Sequence, residues 1–240
     1  MKYKQTSLVI LAYKEPKKFK KMYRIMKKGI DQDTPYEVIV VDNNSDKEIK
    51  DFLKEKKDEI KVITCKKNVG VAKGYNLGAK ESKGEYVCFL NSDYYMMKGW
   101  LRSMIDCIEH KEKIGIVSCS TNYTANFNER VDSTFDNKIA VVDTPNNYKE
   151  SEYAIACMFI RRSILESVGW FDEYYFVHWE DLDINEAIKK AGYRVFVNRK
   201  CFGYHDFLKE KLTGRSKEDA KGKLYFKKKW GKDGWKIKEK

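Results

Sequence analysis

Histidine and proline are scarce in this chain of 240 residues, at three apiece. With so little proline and no low-complexity tract, a disordered linker or a proline-rich array is excluded. No long apolar run occurs either. Residues 7–12 (SLVILA) form a short apolar run, well below a signal-peptide core or a membrane span, and the expectation is a soluble, cytoplasmic protein. The six cysteines contain no Cys-x-x-Cys pair and sit mostly in apolar, strand-like surroundings. That argues for buried, reduced thiols rather than a disulfide frame or a zinc site. Missing too are a phosphate loop ending in Gly-Lys-Ser/Thr and a Gly-x-Gly-x-x-Gly turn after the first apolar run, which disfavours a nicotinamide or flavin dinucleotide site.

What is present is globular. Hydrophobic residues make up 42% and aromatics 14% of the chain, enough for a sizeable core. The net charge of +12 has two readings: an affinity for polyanions, or a solvated surface built from evenly spread lysine. Short apolar runs at 7–12, 37–41 and 85–90 read as buried strands, and 61–65 and 114–118 as further strands. They alternate with helical patterns such as Phe19, Met22, Tyr23, Met26 and Ile30 on one face. Alternating strands and helices predict an α/β fold with a mostly parallel central sheet flanked by helices. Residues 121–151 are polar and aperiodic, a functional loop or a region of short strands. Residues 1–220 form one expected domain. The basic, aromatic segment 221–240 is expected to pack on it, with an anionic membrane face as the other reading.

In such sheets ligands sit beyond the carboxyl ends of the strands. Two polar clusters fall there: Asp42-Asn43-Asn44-Ser45-Asp46 and Asn91-Ser92-Asp93. Both suit turns or helix caps. Both also suit ligand binding, Asp42 by accepting from a base or ribose and Asp93 by ligating a divalent cation that bridges a diphosphate. In residues 68–78 (NVGVAKGYNLG) glycines permit close backbone approach and Lys73 offers a point charge for phosphate. Trp179-Glu180-Asp181-Leu182-Asp183 opens a helix, whose positive end keeps a general base ionised. His205 follows a strand and is a candidate partner for Asp93 at a metal.

Taken in order, these segments resemble the GT-A glycosyltransferases of the inverting family 2, in particular its rhamnosyltransferases. The resemblance runs from about residue 5 to 206. It rests on SLVILAY at 7–13, VVDNNS at 40–45, Asn68-Val69-Gly70 with Asn76-Leu77-Gly78, GEYVCFLNSD at 84–93, Arg161 with VGWFDE at 168–173, EDLD at 180–183, Gly192-Tyr193-Arg194-Val195 and His205. It implies transfer of a sugar from a nucleoside diphosphate to a saccharide or lipid-linked hydroxyl by metal-assisted inverting displacement. Asp181 would be the catalytic base, with Glu180 as the alternative. Ala12, Tyr13, Glu15, Asp42, Asn43, Asn68, Gly70, Lys73, Asn91, Ser92 and Asp93 would hold the nucleotide sugar. Asp93 and His205 would bind Mn²⁺ or Mg²⁺, and Asp172 and Trp179 the acceptor. Two positions depart from the pattern: Asn91 replaces the first Asp of the Asp-x-Asp motif, and Lys14 stands where Asn is usual. A nucleic-acid partner is not expected. The competing readings are a non-catalytic sugar-nucleotide binder and a nucleic-acid binder. The expected location is the cytoplasm, with peripheral contact at the inner membrane face.

Overall fold

The structure, a computed structural model, describes residues 4–122, 148–155, 157–206 and 217–234. The first apolar run forms β1 (Thr6–Ala12). The amphipathic segment after it forms α1 (Pro16–Lys28), with proline in its first turn, where no N–H partner is lost. β2 (Tyr36–Asp42), α2 (Lys47–Glu55) and β3 (Lys61–Thr64) follow, then α3 (Val71–Lys80) and β4 (Tyr86–Leu90). A short β5 (Tyr94–Met96) leads into α4 (Trp100–Glu109) and β6 (Ile114–Thr121). Beyond lie β7 (Tyr148–Glu150), β8 (Met158–Arg161), α5 (Arg162–Ser167), α6 (Glu180–Lys190), β9 (Arg194–His205) and α7 (Lys217–Trp230). The expected loop at 121–151 lies largely outside the described residues, and α7 runs across the boundary expected at residue 220.

The nine strands among the described residues join one sheet in the order β3-β2-β1-β4-β8-β6-β9-β5, with β7 also paired to β9. The first half, β3 to β4, is wholly parallel. β8 enters antiparallel to both neighbours, and β6 with β9 restores a parallel pair. The register sets Ala12 beside Asp42, and Asp42 beside Thr64. The carboxyl ends of β1, β2 and β3 therefore open at one edge, and β4 delivers Asn91 on the other side of β1.

Strand alternation divides the core between the two faces. Leu8, Ile10 and Ala12 face α1, α2 and α4 with Phe19, Met22 and Trp100. Val9 faces α3, α5 and α6 with Tyr75, Ile164 and Ile184. Each fully buried Leu, Ile, Val or Phe contributes about 1.5–3 kcal/mol, whereas a solvent-exposed ion pair such as Lys47–Asp51 is screened and adds little. The two cores hold the fold. Gly74 and Gly78 let α3 lie hard against β1: a Cβ at either would come within 2.4 Å of Leu11 or Val9.

Candidate active site

The loops after β2 and before α3 are fixed by two asparagines. Asn43, just past β2, donates through Nδ2 to Asn68 Oδ1 (2.8 Å) and to the Gly70 carbonyl (3.3 Å), while its Oδ1 accepts from Val69 N–H (2.8 Å). Asn68 also accepts from Gly70 N–H. These amides are spent on shaping the loop that starts α3. Gly70 has φ +87°, and a Cβ there would stand 2.6 Å from the Phe176 carbonyl, which accepts from Val71 N–H at 2.7 Å. The loop before α3 and the loop before α6 therefore touch directly.

Asp42 is 2% exposed, and its Oδ1 accepts from both the N–H and the hydroxyl of Ser45. Ser45 thus closes a turn on Asp42. Asp46 occupies the cap position of α2 without a side-chain cap bond. Ala12 keeps its carbonyl on Asn43 N–H. Tyr13 is exposed, with Lys14 over its ring, and Glu15 is in the left-handed region at φ 63°. Lys73 is half exposed and pairs with Glu173 at 3.3 Å.

Past β4, Asn91 Oδ1 accepts from the Tyr75 hydroxyl at 2.6 Å, and Ser92 is partly buried beside it. Asp93 Oδ2 faces His205 Nε2 at 3.4 Å. The imidazole stacks on Tyr94 at 4.4 Å, and the His205 backbone is paired with the Asn122 amide. A carboxylate and an imidazole with donor atoms face to face can share a proton or a divalent cation, so the chemistry of this pair fits two ligands of a metal. Among the described residues no group of three or more His, Cys, Asp or Glu is gathered for a metal.

Glu180 and Asp181 open α6. Glu180 is buried, and its Oε2 has no hydrogen-bond partner. Burial, with Asp181 beside it, pushes its carboxyl up to about 8. Asp181 is partly exposed and accepts from Leu182 N–H at 2.8 Å. Burial raises it as well, opposed by that bond and by His178. A carboxyl left without partners in the apolar interior holds its proton, because ionisation there lacks solvation.

Tyr75 ties these parts together. Burial first, then the carboxylates of Glu180, Asp93 and Asp181, drive its hydroxyl far above its ordinary range. The phenol is thus bonded to the exit of β4 and lies within electrostatic reach of the start of α6. Sequence reasoning assigned Tyr75 no role, because a tyrosine in a glycine-rich amphipathic helix reads as core. Asn76 was legible only as part of a motif. It clamps Phe171 through both its amide ends and donates to Glu173.

The two residues expected at the acceptor are both bonded to α7. Asp172 accepts from Tyr174 N–H, the Tyr225 hydroxyl and Lys229. Trp179 donates through Nε1 to Asp219 at 2.8 Å and packs on Phe226.

The chain matches the family model described as glycosyl transferase family 2 over residues 7–169. A probable N-acetylgalactosaminyltransferase 6 of Caenorhabditis elegans is 34% identical over 83 residues, 32% of this chain and 13% of that protein. The low-salt glycan biosynthesis hexosyltransferase Agl10 of Haloferax volcanii is 25% identical over 190 residues, 74% of this chain and 59% of that one. The chain thus spans less than two thirds of either relative. Among solved structures, GalNAc-T7 with UDP, GalNAc and Mn²⁺ superposes with a TM-score of 0.75 at 16% identity, covering 95% of this chain and 48% of that one. TarS of S. aureus with UDP-GlcNAc gives 0.66 at 17% identity, covering 92% and 65%. These neighbours have the GT-A fold, and the present sheet and helices share it.

Proposed function

Because this chain belongs to glycosyl transferase family 2, we propose that it moves a hexose from a nucleoside diphosphate to an acceptor hydroxyl by a single inverting displacement. The observation that carries this is the Tyr75 hydroxyl, which bonds Asn91 at the exit of β4 and lies within electrostatic reach of Glu180, Asp93 and Asp181. It supports a general base on α6 near the place where a diphosphate would lie. Asp181, partly exposed at the positive end of α6, takes the proton of the acceptor hydroxyl. The acceptor oxygen bonds to the anomeric carbon, and the bond to the diphosphate oxygen breaks, its electron pair leaving with the diphosphate. Glu180 is the alternative base. Its high proton affinity suits it better to holding a proton beside Asp181 at neutral pH.

Asp42 accepts from ribose or base through the carboxylate oxygen that Ser45 leaves unused. Lys73 releases Glu173 to meet a phosphate, and Asn91 offers an amide in place of a carboxylate. Ala12, Tyr13, Glu15, Asn43, Asn68, Gly70 and Ser92 line or shape the same edge. Asp93 and His205 would hold Mn²⁺ or Mg²⁺, which supplies charge stabilisation for the leaving diphosphate. Asp172 and Trp179 belong to the acceptor side through the loop they anchor.

The acceptor is a glycan or a lipid-linked saccharide. No described helix is long and apolar enough to cross a membrane. The outward face of α7 suits peripheral contact. Lys217, Lys221, Leu224 and Lys228 are all exposed and fall within about 60° of one another on the helix. A leaflet with anionic lipid attracts such a face by about 1 kcal/mol per lysine. Sedimentation with phosphatidylglycerol vesicles, lost in about 0.5 M salt, where the Debye length is about half its physiological value, and absent with phosphatidylcholine, is the expected outcome.

The deciding experiment measures UDP release from UDP-GlcNAc and UDP-GalNAc with and without Mn²⁺. Asp181→Asn is expected to lose about 10²–10⁴-fold in turnover while still binding UDP. No binding of any nucleotide or sugar nucleotide would sink the transferase reading.

A further inference from the structure

Immediately before the carboxylates of α6, the backbone takes a conformation that L side chains resist. His178 (φ 62°) and Trp179 (φ 73°) are consecutive non-glycine residues in the left-handed region. Such turns persist only where their surroundings over-determine them, and they concentrate at functional sites. The surroundings here come from α7. Within the turn, Trp179 Nε1 donates to Asp219 Oδ1 at 2.8 Å. Its indole fills the space that Gly222 leaves open, where a Cβ would come within 2.9 Å.

After the turn, Asp183 is 3% exposed and accepts from Trp230 Nε1 (2.7 Å), Lys229 Nζ (2.9 Å) and the Tyr175 hydroxyl (3.1 Å). Before it, Asp172 accepts from the same Lys229 Nζ (2.8 Å) and from Tyr225 (3.0 Å). One helix thus grips the segment 172–183 ahead of the turn, inside it and beyond it. Apolar contact through Phe226 would dock α7 without any of these bonds. Their directionality fixes the path of the turn, and the turn fixes where Glu180 and Asp181 begin.

We propose that Asp219, Lys229 and Trp230 of α7 are positioning residues for sugar transfer. They hold the left-handed turn at 178–179 and thereby aim the α6 carboxylates, without touching donor or acceptor. This rests on the reading that those carboxylates carry the chemistry.

The test compares Asp219→Ala with Asp219→Asn, whose carbonyl oxygen still accepts the indole N–H. Each is assayed for UDP release from UDP-GlcNAc and UDP-GalNAc, for UDP affinity by calorimetry, and for hydrogen exchange across residues 176–183 by mass spectrometry. Asp219→Ala is expected to lower kcat about 10–100-fold, as small misplacements of a catalytic group do. KM and UDP affinity should stay near wild type, exchange across 176–183 should quicken, and Asp219→Asn should recover most of the rate. Wild-type turnover in Asp219→Ala overturns the proposal. If Asp219→Ala does not fold, Trp230→Phe, which removes one donor to Asp183 and keeps the ring bulk, is judged by the same readouts. If the wild type itself releases no UDP, the reading of the site fails separately. Exchange then decides the hold: unchanged protection in Asp219→Ala overturns it, and faster exchange sustains it.

Discussion

Glu180 couples folding to pH. Its folded carboxyl titrates at about 8, against an ordinary value of 4.5, so between those values the folded chain keeps a proton that the unfolded chain releases. For a group raised in this way, stability is greatest below the unfolded value and declines as pH rises toward the folded one. Urea denaturation of wild type against Glu180→Gln should therefore show the difference shifting in favour of the variant from about pH 5 to about pH 8. A constant difference would mean that Glu180 is solvated and ionised throughout. Asp93→Ala, at the exit of β4, and His205→Ala, at the end of β9, should each weaken the Mn²⁺-dependent part of UDP affinity by about 10-fold or more, read by calorimetry with and without the ion. Both pairs were visible in the sequence as residues at a strand end and a helix start. Tyr75 was not, because its partners, Asn91 and the carboxylates of α6, come from distant segments. The bonds that tie Asp172 and Trp179 to α7 were not legible either, because Tyr225, Lys229 and Asp219 are some 40 to 57 residues further along the chain.

Among the elements, α3 transmits the most constraint per residue. It is pressed on β1 by two glycines, opened by Gly70 and tied to the loop before α6 through Val71 and Asn76. Gly70→Ala should cost about 1–3 kcal/mol in chemical denaturation, since it meets both a left-handed φ and the Phe176 carbonyl. The central strands β1, β2 and β4 were legible because they are buried on both faces and read as continuous apolar runs. β5 and β7 were not, being three residues each, and β8 gives no hint of its antiparallel direction. β9 reads as a strand over 193–197 but continues to His205 through Arg199 and Lys200, with a register shift opposite Cys119 and Ser120. Polar residues and an irregularity there break the period that sequence reading relies on.

For the whole molecule, α7 belongs to the same cooperative unit as the sheet. Its Phe226 is fully buried in the core shared with α3, α5 and α6, and Lys232 bonds Glu186 on α6. Thermal unfolding followed by far-ultraviolet dichroism and by tryptophan fluorescence should give coincident transitions, because Trp100 in the first core and Trp230 on α7 would lose their environments together. A separate early fluorescence change would mean that α7 detaches first. Surface charge contributes little to this cooperativity, since pairs such as Lys47–Asp51 and Arg194–Glu150 are largely solvent-exposed.

All six cysteines are free and buried, and Cys88 and Cys157 lie 3.5 Å apart where β8 meets β4. Thiolate is the reactive form, and burial pushes the Cys107 and Cys65 thiols up. A water-soluble disulfide reagent therefore finds no ready target on the folded chain. Colour develops only as fast as the sheet opens, so the pace of labelling becomes a clock for opening events that equilibrium melting averages away.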